Sequence, residues 1–255
     1  MIFDPLDFPY VRAATYTDGG AVVTASAFYN PVQDVIAALF GASTGISFSI
    51  CTEEFETISP CTVTAGAAFG LQLQMQTTTN SEAASAAALA AGDHGIWRSQ
   101  TVANGASDFI VRDGTNFVGT ADSIWTARVR ILARARLETV GNEGFVLGMG
   151  DVASGFPVFV AGSDDAHWQA IANGVQTDTG VAVVDDTWTW LIIARRAGTV
   201  YWYIATGAGA LAQVHSQVFA LSFTGCRRYS RWRDGAGGTA ADYVLYDHFS
   251  RGIQR

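Results

Sequence analysis

The sequence predicts a mainly β chain: an antiparallel jelly-roll β-sandwich preceded by an extended arm and one short amphipathic helix. Three observations carry this. From about Ile46 onward apolar and polar residues alternate with a period of two, the repeat of half-buried strands. Aromatics make up 12% of the chain and Gly fills 27 positions, a mixture suited to sheets joined by tight turns. Only one segment, ahead of residue 46, carries a convincing helical period and caps.

Residues 1–45 read as an arm and helix for attachment or oligomerisation, and residues 46–255 as the jelly roll. In the arm, Pro5 and Pro9 exclude a helix, Phe3, Phe8 and Tyr10 are ready to dock, and Asp18-Gly19-Gly20 supplies a turn. The helix NPVQDVIAALFG has Asn30 as N-cap, Pro31 at its first position and Gly41 as terminator. Its stripe of Val32, Val35, Ile36, Leu39 and Phe40 needs a surface to cover it, because three turns are not stable alone.

Strands are expected at ISFSIC, FGLQLQMQ, GIWRSQT, WTARVRILARARLE, GFVLGMG, FPVFVAG, AHWQAIA, WTWLIIARR, TVYWYIA, QVFALSF, CRRYSRWR and DYVLYDHF, separated by Gly, Asp, Asn and Ser clusters. Their number and spacing point to two packed antiparallel sheets. In WTWLIIARR, alternation puts Trp188, Trp190 and Ile192 on one face, expected to be core. In TVYWYIA it buries Trp202 and turns Tyr201 and Tyr203 the other way. SEAASAAALAA, from Ser81 to Ala91, has few large apolar residues and reads as an exposed loop or weak helical turn.

A net charge of -8 and 23 acidic against 15 basic residues disfavour a nucleic-acid partner, since no counterion release is gained on a phosphate backbone. The cysteines Cys51, Cys61 and Cys226 form no CxxC pair and make a poor disulfide framework. No run of about 18 apolar residues occurs, and MIFDPLDFPYVR lacks the basic and apolar regions of an export signal, so neither membrane nor secretion is expected.

Four segments, DHGIWRSQT, VVDDTWTWLIIARR, TVYWYIATG and ADYVLYDHF, together resemble the concanavalin A-like (lectin/glucanase) jelly-roll domains of tailed-bacteriophage virion structural proteins. The leader VVTASAFYNPVQDVIAALFG is similar to the strand-and-helix segment that often precedes such domains. The resemblance implies a virion component assembled in the host cytoplasm. Its leading form is a non-enzymatic head decoration (cement or spike) protein, a homo-oligomer and in the first instance a homotrimer, with the major capsid protein or other virion proteins as partners. The alternative is a glycan-binding tail or head fibre module that recognises host surface polysaccharide.

No enzyme is expected. The glucanases of this superfamily carry two carboxylates on one strand as Glu-x-Asp-x-x-Glu, and that pattern is absent from the six glutamates here. His94, His167, His215 and His248 are scattered without an HExxH or His-x-His, and the paired aspartates Asp164-Asp165 and Asp185-Asp186 read as turns before calcium ligands. Neither a metal nor a cofactor is expected. The sequence offers contact surfaces instead. Alternation through WTARVRILARARLE lines up Arg128, Arg130, Arg134 and Arg136 opposite Trp125, Val129, Ile131 and Leu137. CRRYSRWRD adds Arg227, Arg231 and Arg233 with Tyr229. Such a basic face suits an acidic protein surface or acidic glycan, or is a solvated face paired to local Asp residues. Tyr201, Tyr203 and Tyr229 are the candidates for sugar stacking.

Overall fold

The computed structural model describes residues 16–18, 21–23, 48–53, 61–63, 68–69, 73–77, 82–84, 97–100, 108–113, 117–119, 122–142, 144–148, 155–219, 223–226, 229–233, 235 and 243–254. The strands are β1 (Tyr16–Asp18), β2 (Ala21–Val23), β3 (Phe48–Glu53), β4 (Cys61–Val63), β5 (Ala68–Phe69), β6 (Leu73–Thr77), β7 (Glu82–Ala84), β8 (Trp97–Gln100), β9 (Asp108–Asp113), β10 (Phe117–Gly119) and β11 (Ser123–Ile131). They continue with β12 (Phe145–Gly148), β13 (Val158–Ala161), β14 (His167–Ala172), β15 (Val175–Ala182), β16 (Trp188–Arg196), β17 (Thr199–Thr206), β18 (Ala212–Val218), β19 (Phe223–Cys226), β20 (Tyr229–Arg233) and β21 (Tyr243–Gln254). The helical content of the described residues is two 3-10 turns, Arg134–Arg136 and Val140–Asn142.

Two antiparallel sheets make the sandwich. One is seven-stranded, in the order β18-β17-β16-β11-β21-β3 with β8 also on β21; the other is eight-stranded, β15-β14-β13-β12-β20-β9-β6-β5. Alternation sends one face of each strand inward. Trp125, Ala127, Val129 and Ile131 of β11, Leu191 and Ile193 of β16, and Val200, Trp202 and Ile204 of β17 meet Phe145, Leu147, Phe159, Trp168 and Trp232 of the facing sheet. Trp168 packs edge-on against Phe145 and Phe159, with ring centroids 5.7 and 6.4 Å away, the orientation aromatic quadrupoles favour. Two polar side chains pair across this core. The Trp202 indole donates to the Val158 carbonyl at 3.1 Å, and the Ser230 and Tyr246 hydroxyls sit 2.9 Å apart.

Behind the eight-stranded sheet, Val146, Val158, Val160 and Ile171 form a smaller cluster with Val140. The Val140 loop lies close against Gly162, where a Cβ would collide with the Val140 amide.

The sandwich predicted from the alternation is the fold found, and Trp202 is buried within it. Several local expectations change. WTARVRILARARLE is not one strand: β11 stops at Ile131 and Arg134–Arg136 turns as a 3-10 helix, its start tied down where the Arg134 amide donates to the Asp185 carboxylate at 2.7 Å. Within Ser81–Ala91, Glu82–Ala84 is a strand paired with β4 rather than a loop or helical turn. β15 was not foreseen, because the inward positions of this edge strand are Thr177, Thr179 and Val181, too polar a face to betray it. The strand expected at QVFALSF is displaced to Ala212–Val218. Of the arm, Tyr16–Asp18 and Ala21–Val23 form a hairpin around the expected turn. Phe3, Phe8, Tyr10, Val32, Val35, Ile36, Leu39 and Phe40 lie outside the described residues. No helix among the described residues is long and apolar enough to cross a membrane.

Candidate functional site: an aromatic and arginine face on the seven-stranded sheet

A tight turn decides which side chains reach the outside of the seven-stranded sheet. Ala197 and Gly198 both adopt positive φ, 47° and 79°, and close a two-residue hairpin of the type that matches strand twist. That turn sets Ile193 opposite Trp202, so Leu191 and Ile193 share the buried face of Trp202. Trp188 and Trp190 therefore point away from the inter-sheet core. The expectation that they lie in it is corrected, since both are only partly buried. Ile192 is on their face too but is wholly buried, between Thr126 and the buried Tyr203, and gives this surface an apolar floor.

Strand pairing then brings cations to the indoles. Arg128 lies opposite Trp190 on one side and His248 on the other, and Arg130 lies opposite Trp188. The Arg128 guanidinium sits 5.0 Å from the Trp188 ring centre and 5.9 Å from that of Trp190; Arg130 is 6.0 Å from Trp188. His248 tilts against Trp190 at 5.1 Å. A weakly hydrated guanidinium over an electron-rich ring keeps its charge at little desolvation cost.

The rim of this face is the loop between β15 and β16. Asp186 holds a left-handed backbone, φ 52°, while its amide donates to the Ile131 carbonyl at 2.8 Å. Its carboxylate accepts from the Arg130 Nε at 2.7 Å, with the two side chains 50% and 25% exposed. Thr187 closes the turn by donating its hydroxyl to the Asp185 carbonyl at 3.0 Å. The result is a half-buried indole beside an ion pair that water can reach.

The arginines expected to share one stripe have different fates. Arg128 and Arg130 are on this face, and the Arg130–Asp186 pair matches the local pairing considered for a solvated face. Arg134 is off the strand, on the 3-10 turn, and its Nη1 donates to the carbonyls of Gly162, Ser163 and Asp165 at 3.2, 2.7 and 2.8 Å. Arg136 is exposed on the 3-10 turn, off the strand. Arg231 and Arg233 belong to β20 in the other sheet, and Arg227 lies outside the described residues.

The tyrosines are also dispersed. Tyr201 is half-buried; Tyr203, on the same face, is 8% exposed, and burial, with Tyr201 nearby, pushes its phenol up to about 12. Tyr229 is on β20, in the opposite sheet. Trp188, Trp190, His248 and Asp186 are the residues of this face that sequence reasoning did not select. The two-residue turn at Ala197-Gly198 was the signal that would have found the tryptophans.

No family model matches the chain, and no curated protein matches it. Solved structures do. A protein of unknown function from Shewanella oneidensis MR-1 is 11% identical with a TM-score of 0.53, over 89% of this chain and 95% of that one. Peanut lectin, solved with a 9mer peptide, is 8% identical with a TM-score of 0.52, over 82% and 98%. The Lotus tetragonolobus seed lectin is 11% identical with a TM-score of 0.50, over 77% and 99%. The fold is a lectin-type jelly roll. Sequence identity this low speaks for the fold alone, and function has to be argued from the site.

Proposed function

We propose that this protein is a non-enzymatic glycan-binding jelly roll whose saccharide lies on the Trp188 face. One observation carries the reading: a half-buried indole, flanked by Trp190 and Arg128, stands beside the solvent-accessible Arg130–Asp186 pair. A sugar ring needs that combination, an aromatic plane for its C–H face and charged hydrogen-bonding groups at the edge for its hydroxyls. The seed lectins of the same fold lend support by analogy. Missing the strand-borne carboxylate pair of glucanases, the chain binds without cleaving.

The phage head decoration reading, with a trimer and a capsid partner, rests on sequence resemblance and on arm residues outside this site. The two readings separate in one experiment. On a glycan array the wild-type protein should give a saturable signal that falls about tenfold in Trp188→Ala, the equivalent of about 1.4 kcal/mol of lost stacking, while its melting temperature stays close to wild type. A silent array together with stable binding to phage capsids would decide for the decoration role.

A further inference from the structure

On the other sheet, around the hairpin of β14 and β15, an imidazole and two carboxylates converge. We infer that Asp165, His167 and Asp178 form a binding site for a divalent transition ion of the zinc class. One ligand atom from each lies within 4.8 Å of the other two, a separation one ion can span. They come together for reasons visible in the strands. Trp168 and Ala170 of β14 point into the core, so His167 and Gln169 face the opposite side. The pairing of β14 with β15 slips between His167 and Gln169 and sets Asp178 opposite Gln169, within reach of the imidazole.

The donor set is mixed, nitrogen with oxygen, and its orientation is fixed from outside. The Arg134 guanidinium grips the Asp165 carbonyl at 2.8 Å. The Asp165 carboxylate accepts from the His167 amide at 3.0 Å through one oxygen and from Gln169 Nε2 at 2.5 Å through the other, and Gln169 is itself 1% exposed. Asp178 accepts from the Gly180 amide at 2.7 Å through one oxygen and faces His167 Nδ1 at 3.0 Å through the other. Carboxylates and imidazoles oriented in this way are what a metal site requires of its surroundings. The imidazole selects zinc-class ions over calcium and magnesium, which prefer oxygen alone. Because Asp165 and His167 are only partly buried and Asp178 is exposed, water would complete the coordination.

Titration calorimetry of the full chain at pH 7 with zinc chloride, and with calcium chloride as control, tests the site. One zinc per chain is expected, with calcium giving no comparable heat. His167→Ala and Asp178→Asn should each abolish the one-to-one event, and Arg134→Ala, which removes no ligand, should weaken it by about tenfold. Retention of the event in Arg134→Lys would assign the loss to positioning. Absence of zinc binding at millimolar concentration overturns the proposal, as does equal affinity in wild type, His167→Ala and Asp178→Asn. The glycan signal of Trp188 is read separately, so either proposal can fail without the other.

Discussion

The two faces of the seven-stranded sheet carry comparable aromatic loads and put them to opposite uses. Inward, Trp125 and Trp202 are fully buried, and Trp202 gives its N–H to a carbonyl of the facing sheet. Outward, Trp188 and Trp190 keep contact with solvent and are packed by guanidinium groups rather than by hydrocarbon. Indoles alone do not distinguish core from site. What lies against them does: hydrophobic cover fixes a fold, whereas charged cover leaves a surface on which a polar ligand with an apolar face can compete.

The contrast is sharpest in stability. Trp202→Ala should cost about 3–5 kcal/mol, the usual penalty for emptying a core aromatic site, and Trp188→Ala about 1 kcal/mol or less. Denaturant unfolding measures both, and equal losses would erase the distinction between the faces. A smaller effect concerns Tyr203, which sits beneath the outer face. With its phenol raised to about 12, the neutral form is favoured by folding. The associated stability is complete below the free phenol value near 10 and is lost as pH rises through about 12. Ultraviolet titration should show late tyrosine ionisation, and Tyr203→Phe should reduce its amplitude by one tyrosine. The smallest effect is that of the Arg130–Asp186 pair. As an accessible ion pair it should show a coupling of about 0.2–1 kcal/mol in a double-mutant cycle, falling with added salt. A coupling several times larger would make the rim of the outer face part of the fold's framework.

Much of the architecture was legible in the sequence because period two is a direct imprint of the pleat. The alternation gave both sheets and the buried position of Trp202. It could not give the phase of WTWLIIARR, since Trp188, Trp190 and Ile192 are as apolar as Leu191 and Ile193; only the hairpin turn breaks that tie. The arginine stripe was read past its end for a related reason. Alternation in ARAR continues on paper, but the chain turns at Arg134, where Asp185, distant in sequence, captures its amide and the loop carbonyls of Gly162, Ser163 and Asp165 capture its guanidinium. The cluster around His167 was hidden because Asp178 lies on β15, a strand whose polar sequence does not announce it.

The position of β21 bears on how the molecule is made. This strand fills the middle of the seven-stranded sheet, between β11 on one side and β3 and β8 on the other. β3, β8 and β11 all precede it by more than a hundred residues. A ribosome releases those three strands long before the element that joins them, so they wait with unpaired edges, the state most open to wrong partners. Completion of this sheet is thus a late event, and the yield of folded protein depends on how well those edges are shielded until residues 243–254 arrive.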